Sequence, residues 1–560
     1  MLFRQAAKYG DRPIYHHLVG ERWQVESWAD LRRDILSVGS GLIQAGIKAG
    51  DKVILLSENR LEWIYCDFAI QTVGAITIPI YPNSTPEMAQ KIAEDSGASF
   101  AIASSSTLAA KLKPTATLKT IALIDPDIAG WVKRGPSQVV EIDSRVRGIK
   151  PDDLCTIVYT SGTTGDPKGV ELAHRNLVDI SRAVVQVHPL TDADSALSFL
   201  PYAHVFERIN DIFLGILYGA EVWISRGADH LAQELNEVQP TVMCSVPRMY
   251  EKMYAVVMSL VRESSSVRRA LFSWAISVGT RHFHAAKPGS WLLAQHRVAD
   301  RVVLAALRKR LTGGRLRFFV SGGAALSREV EEFFWAIGVP ILNGWGMTET
   351  SSGVCSNTLH EHRFLTVGKP FPGVQVKIAD DGEILVRGPG DMVGYHNKPE
   401  ATSEMLTDGW ICTGDIGEID GDGFLKITDR KKSLFKTAGG KYIAPLPLEH
   451  ALLSNPLVVR AVVVGDGKPY VTALIVPDWE AAQKQGLDEG GVRASIQHSL
   501  DQTNAHLGSW ETIKYFTLLA NDFTEDSGEL SLKLDIKRTV ISQHYGSQIE
   551  AMYSGKARPA

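Results

Sequence analysis

The sequence predicts an α/β protein: a large, multi-subdomain N-terminal α/β domain with mostly parallel sheets, and a small, mobile α+β C-terminal domain. Three observations carry this expectation. At 560 residues the chain is longer than one hydrophobic core holds together, so two or more domains are expected. The first 150 residues alternate short apolar runs with helical patterns, which is the rhythm of βαβ units. From about residue 367 the texture changes to short strands with tight turns, and near 429 it changes again.

Taken in order, WADLRRDILSVGSGLIQAG (28–46) spaces its apolar residues by three and four and stops at glycine, so it reads as an amphipathic helix. DKVILLSEN (51–59) reads as a buried strand, LEWIYCDFAIQTVG as a helix and AITIPIYP as another strand. DLCTIVYT (153–160) is an apolar, β-branched strand. The run VELAHRNLVDISRAV reads as a helix, so SGTTGDPKG is expected to join strand to helix. Residues 253–312 are helix-rich and more basic than the rest, and read as a solvated helical face. LRFFVSGGAAL (316–326) is a strand entering a glycine-rich turn, followed by the helix SREVEEFFWAIG. In VGKPFPGVQVKIADDGEILVRGPG and beyond, the DDG and GDG steps favour hairpins. After GFLKIT comes the charged DRKK, and then the strands VVRAVVVGD and YVTALIVPD lie between helices. The expected boundaries are 1–428 for the N-terminal domain, 429–434 for a hinge and 435–560 for the C-terminal domain.

Composition excludes several classes. Fifty-nine Lys and Arg against 63 Asp and Glu give net charge −4, which offers no electrostatic footprint for nucleic acid. The five cysteines are scattered without a CxxC step, so neither a disulfide framework nor a zinc site is expected, and a reduced, cytoplasmic setting fits. The start, MLFRQAAKYGDRP, carries charges throughout and has no signal-peptide core. The most apolar windows, around 65–82 and 211–224, are broken by Asp67, Gln71 and Glu221, short of the ~18 uncharged apolar residues of a membrane span. Peripheral contact with the inner membrane face stays open.

YTSGTTGDPKG (159–169) is the stretch richest in chemistry. A glycine-rich turn leaving a strand brings backbone N–H groups together on an anion. The Walker pattern is absent, because Lys168 stands between Pro167 and Gly169 with no Gly-Lys-Ser/Thr step. A P-loop nucleotidase is therefore disfavoured. YTSGTTGDPKGVELAHRN resembles the phosphate-binding signature of adenylate-forming enzymes, the superfamily of acyl-CoA synthetases, luciferases and adenylation domains. NGWGMTET (343–350), DGWICTGDIGEID (408–420) and ITDRKKSLFKTAGGKYIAPLPLEHAL (427–452) follow in the family's order and resemble its adenine and magnesium segment, its ribose segment and its hinge. LPYAHVFERIND (200–211) and TAGGKYIAP look most like the long-chain fatty acyl-CoA synthetase branch. The sequence opens close to its first family-like segment, KYGDRPIY, which leads us to expect that a short N-terminal piece of relatives is missing here.

The resemblance implies a ligase that activates a long-chain fatty acid with ATP and Mg²⁺ through an acyl-adenylate, then transfers it to CoA. A fatty acyl-AMP ligase loading a carrier protein, or a weakened acyl-adenylate or fatty-acid binder, are the alternatives. By the same resemblance Thr160, Ser161, Gly162, Thr163, Thr164, Gly165 and Lys168 contact the β- and γ-phosphates. Hydroxyls donate there and the glycines admit the backbone. Trp345 and Gly346 border adenine, as do Gly323 and Ala324 of SGGAAL, although a plain strand-to-helix turn stays open for that segment. Thr348 offers a hydroxyl to the α-phosphate and Glu349 is the metal ligand, since a hard cation prefers carboxylate oxygen. Asp415 accepts both ribose hydroxyls and Arg430 joins it. His204 matches a histidine bordering the acyl carboxylate, in a segment expected to gate an acyl tunnel. Gly439, Gly440 and Lys441 line the CoA approach. The family's mobile adenylation lysine does not line up: SGELSLKLDIKRTVI has Asp535 at that position, leaving Lys533 as the first choice and Lys537 as the second.

Overall fold

In a computed structural model of the chain, residues 1–161, 166–285, 287–439, 441–505, 507–524, 527–530 and 536–554 are described. Contacts between Cα atoms divide it into two compact units. The first comprises Met1–Val376, Val386–Cys412 and Gly421–Leu425, and the second Lys377–Leu385, Thr413–Asp420 and Lys426–Ala560. The strands Gln375–Ile378, Glu383–Arg387, Trp410–Ile419 and Leu425–Arg430 each run through a point of division.

Among the described residues the first unit is built on two large sheets. One has nine strands in the order Lys369–Pro370, Cys355–Ser356, Ile341–Trp345, Phe318–Ser321, Val242–Ser245, Ser195–Ser198, Glu221–Ile224, Pro13–Val19 and Arg22–Ser27. Its centre is parallel, as expected, and its edges are antiparallel. The other has seven, in the order Gly394–Tyr395, Pro167–Ala173, Leu154–Ser161, Ile76–Ile80, Lys52–Leu56, Phe100–Ala103 and Thr120–Leu123. Local chemistry sets the helix ends. Ser27 Oγ accepts from Asp30 N–H to start the helix Trp28–Gln44, and Thr85 caps Pro86–Ser96, where Pro86 presets the first turn.

One expectation is corrected. Residues 170–173, read above as the start of a helix, form the end of the strand Pro167–Ala173, which pairs antiparallel with Leu154–Ser161 from Leu154↔Ala173 to Ser161↔Pro167. Val170 and Leu172 are fully buried on either side of half-buried Glu171, a period-two pattern that adjoins the true helix start at His174. The strand Leu154–Ser161 is therefore followed in the chain by an antiparallel partner strand, not by a helix.

The second unit carries its own core. The strands Val458–Val464, Val471–Pro477 and Ile513–Leu518 form a three-stranded sheet. Val471, Ala473, Ile475 and Ile496 of this core are fully buried.

Candidate active site

In the first unit the base of the glycine-rich hairpin meets the Thr348–Thr350 turn through one side chain. Tyr395 lies on the strand Gly394–Tyr395, which pairs with Pro167–Ala173 at Tyr395↔Val170. Its hydroxyl donates to Glu349 Oε1 at 2.7 Å, and Lys168 Nζ stands 4.9 Å from its ring centroid. Burial, helped by the Glu349 charge, raises the Tyr395 phenol above its ordinary value, so it remains a donor. Nothing in the motif pattern pointed to Tyr395; an aromatic two residues into a short edge strand carries no sequence signal of its own.

The Thr348–Thr350 turn is held from several sides. Met347 N–H donates to Thr350 Oγ1 at 3.0 Å, and Ser351 Oγ donates to Gly390 O at 2.8 Å. Met392 N–H donates to Glu349 O at 2.8 Å. Gly346 is required by close approach: a Cβ there would lie 1.8 Å from Ser352 O, a contact with rigid backbone. Gly169 is similarly constrained, since its Cβ would meet Ile157 Cγ2 at 2.7 Å. Thr348 and Glu349 are both buried. Trp345 ends the strand Ile341–Trp345, paired with Cys355, one residue before Gly346.

Gly323 follows the strand Phe318–Ser321 with φ +85°, and Ala324 is exposed beside it. The neighbouring Gly322 touches the loop of His204, because a Cβ on it would stand 3.0 Å from the Phe206 ring. His204 caps the helical turn after it, its Nδ1 accepting from Phe206 N–H at 3.0 Å. That places the proton of a neutral imidazole on Nε2. The loop before His204 is clamped by two residues to which the motifs assign no role. Asn59 donates to Leu200 O at 2.7 Å and accepts from Tyr202 N–H at 2.9 Å, while Glu207 Oε1 accepts from Ser198 Oγ at 2.9 Å and Leu200 N–H at 3.2 Å. Burial raises both Glu207 and Asp211 above the ordinary carboxylate value, Glu207 well above it, where the Asp211 charge adds to the effect.

Thr160 sits opposite Lys168 in the hairpin, its hydroxyl 3.5 Å from Lys168 O. Ser161 ends the strand, while Gly162, Thr163, Thr164 and Gly165 lie outside the described residues.

The second unit holds the remaining predicted residues. Asp415 Oδ1 and Arg430 Nε lie 3.5 Å apart, Asp415 buried and Arg430 exposed. Their strands, Trp410–Ile419 and Leu425–Arg430, are braced: Gly414 N–H donates to Glu383 Oε1 at 2.8 Å, and Lys431 Nζ bridges Glu383 and Asp381 at 2.7 and 2.6 Å. Buried Asp429 accepts from Arg430 N–H at 2.6 Å and from Leu446 N–H at 3.0 Å, tying the expected hinge to the helix Pro445–Leu453. Gly439 and Lys441 are exposed in a turn closed by Thr437 N–H donating to Lys441 O at 3.0 Å, with Lys441 Nζ 5.3 Å from the Trp510 ring. Lys537 is described, its N–H donating to Glu529 O at 2.8 Å. Gly440, Lys533 and Asp535 lie outside the described residues.

Among the described residues no cluster of three His, Cys, Asp or Glu could hold a metal alone. One buried carboxylate beside hydroxyl oxygens fits a hard cation that completes its shell with substrate phosphates and water.

The AMP-binding enzyme family matches residues 2–396, and the AMP-binding enzyme C-terminal domain matches 433–557. The chain belongs to the AMP-binding enzymes. Among curated relatives of this family, long-chain-fatty-acid–CoA ligase FadD15 of Mycobacterium bovis is 37% identical, over 99% of this chain and 96% of its own. Long chain acyl-CoA synthetase 6, peroxisomal, of Arabidopsis thaliana is 31% identical over 98% and 84%. Among solved structures, the adenylation domain of a carboxylate reductase from Mycobacterium chelonae superposes with TM-score 0.74 at 22% identity, covering 99% of this chain and 90% of that one. A Mycobacterium tuberculosis fatty acyl CoA synthetase gives 0.67 at 19%, covering 98% of each. The family and fold expected from the motifs are borne out. Among the described residues no helix is long and apolar enough to cross a membrane.

Proposed function

We propose that this AMP-binding enzyme is a long-chain fatty acid–CoA ligase. It forms an acyl-adenylate from a fatty acid and ATP with release of pyrophosphate, then passes the acyl group to CoA with release of AMP. The observation that carries the reading is the approach of Lys168 to the ring and of Glu349 to the hydroxyl of Tyr395, because one side chain then links a cation from the glycine-rich hairpin to a buried carboxylate of the GWGMTET turn. The names of relatives 37% and 31% identical over nearly the whole chain support the substrate class.

An anionic carboxylate must approach the α-phosphorus of a polyanion, so groups that neutralise the phosphates govern the first half-reaction. In this reading Lys168 and the hydroxyls and amides of 160–165 hold the leaving pyrophosphate. Thr348 donates to the α-phosphate, and His204 orients the acyl carboxylate through Nε2–H. Glu349 would hold Mg²⁺, which supplies charge neutralisation on the phosphate oxygens. Trp345 and Gly346, with Gly323 and Ala324, receive adenine, and Asp415 with Arg430 receives the ribose. Gly439, Gly440 and Lys441 line the path of CoA, and a hinge at 429–434 separates an N-terminal domain 1–428 from a C-terminal lid 435–560. Lys533 is our choice for the adenylation lysine. The five unpaired cysteines suit a cytoplasmic enzyme.

Incubation with ATP, Mg²⁺ and palmitate, with and without CoA, tests this. We expect palmitoyl-CoA and AMP only when all are present, and without CoA only the pyrophosphate and palmitoyl-adenylate of the first half-reaction. Adenylate that accumulates despite CoA would assign a carrier-protein acceptor, and absence of pyrophosphate release would leave a binding protein.

A further inference from the structure

We propose that the helical lobe spanning 247–315 docks the protein on an anionic lipid surface, through the outer face of the helix running from Ser290 to Thr312. This goes beyond the ligase reading and does not depend on it. The lobe carries thirteen Lys and Arg against three Asp and Glu, in a chain whose total is −4, so the remaining residues together carry −14. The positive charge is thus concentrated in one region.

The same region carries a concentration of exposed apolar side chains. Of nineteen large apolar residues exposed among the described ones, eight lie here: Val256, Leu260, Val267, Leu271, Trp291, Leu293, Val298 and Val302. The helical run Ser290–Ala299, Asp300–Leu304, Ala305–Thr312 is apolar on two sides. Inward, buried Ala299 and Leu304 join the hydrophobic core, with Leu292, Val303 and Leu307 packed against it. Outward, Trp291 (75% exposed), Ala294, Val298 (54%) and Val302 (52%) recur every three or four residues, forming a stripe. An apolar stripe on the side of a helix that faces away from its core marks a contact surface, and among the described residues nothing covers this one. Exposed Arg297 and Arg301 flank the stripe one residue from Val298 and Val302, and neither makes an ion pair among the described residues. The packed neighbour helix Ser266–His284 adds Val267, exposed at 75%, next to exposed Arg268 and Arg269.

An apolar stripe with a tryptophan, bordered by arginines, suits an interface where rings sit at headgroup level and cations meet lipid phosphates. A second copy of the chain is a poor occupant, because apposing two such faces would bring two strongly positive lobes together. Nucleic acid would match the charge and leave the stripe without a partner.

Flotation with vesicles of phosphatidylcholine containing about one third phosphatidylglycerol tests this, against pure phosphatidylcholine and at about 0.1 and 0.5 M salt. We expect the full-length protein to float with the anionic vesicles and to be released by the higher salt. Arg297→Glu with Arg301→Glu should weaken the partition about tenfold or more. Trp291→Ser with Val298→Ser should weaken it at both salt concentrations. Both variants should keep the parental melting temperature and its rate of pyrophosphate release with dispersed substrate. Equal flotation on the two lipid compositions, no flotation, or variants that float like the parent would overturn the proposal. So would a dimer in light scattering that Trp291→Ser with Val298→Ser dissolves while vesicle binding is unchanged, which would give the stripe to a second copy.

Discussion

Tyr395 donates its hydroxyl to Glu349 Oε1 at 2.7 Å while its ring faces Lys168 Nζ at 4.9 Å. One phenol thus fixes the carboxylate proposed for Mg²⁺ and borders the cation proposed for the leaving pyrophosphate. Tyr395→Phe keeps the ring and removes the donor, so a buried carboxylate loses a hydrogen bond worth about 1.5 kcal/mol, or about tenfold. Pyrophosphate release should fall by about that factor and should need more Mg²⁺, with the melting temperature little changed. Titration of Mg²⁺ in the two proteins measures this, and an unchanged Mg²⁺ dependence would remove Tyr395 from the site.

Asp67 and Arg208 form a fully buried ion pair with two contacts, at 2.9 and 2.5 Å. Thr77 Oγ1 donates to Asp67 at 2.8 Å and Arg208 donates to Thr156 Oγ1 at 2.8 Å, so the network bridges two strands and two helices of the first unit. Removing one partner leaves an uncompensated buried charge, which costs about 3–5 kcal/mol. Asp67→Ala should lose that much stability in urea unfolding. The double variant Asp67→Ala with Arg208→Met should recover part of it, because no charge is then stranded.

Much of this architecture was legible in the sequence, for identifiable reasons. The βαβ rhythm, the DDG and GDG hairpins and the SGGAAL turn depend on local periodicity and turn chemistry, which a short window contains. The strand at 170–173 was misread because its two alternating apolar residues run straight into a stronger helical pattern. Asp67 looked like an interruption in an apolar helix; its role depends on Arg208, 141 residues away. Tyr395 and Asn59 escaped for the same reason, since their partners are distant in sequence. Glu349, Asp415 and Arg430 were found because each lies inside a contiguous motif.

His188 should make the protein acid-sensitive. Its ring is buried against Phe318 and its Nδ1 has no hydrogen-bond partner among the described residues, and burial pushes its pKa from 6.5 down to about 4. As pH falls below 6.5 the unfolded chain takes up a proton here while the folded one does not, so the unfolded state gains. The stability is complete above 6.5 and is lost progressively down to about 4, by about 3 kcal/mol. His188→Leu removes the titrating group, and its unfolding free energy should fall less between pH 7 and pH 4 by that amount. Parallel pH profiles in the parent and the variant would exclude His188 as the source.

The adenylation lysine is the sharpest test of the reaction, because Asp535 occupies the position where the family's lysine is expected. Lys533 and Lys537 are the two candidates, and they differ in what else they do. Lys537 backbone N–H donates to Glu529 O, and the residue caps the helix Arg538–His544, so its main chain is already engaged in the second unit. If Lys533 carries the charge to the α-phosphate, Lys533→Ala should lower adenylate formation by about a hundredfold or more, the scale of losing one charged donor to the transition state. It should spare thioester formation from supplied palmitoyl-adenylate and CoA, because that half-reaction breaks the acyl–oxygen bond to AMP and no bond at the α-phosphorus. Lys537→Ala should then change adenylation by less than about tenfold. Equal losses in both would make the lysines a shared electrostatic pair, and a loss confined to Lys537→Ala would move the role there. Asp535→Lys adds the discriminating arm: a gain in adenylation would show that the missing positive charge limits this enzyme.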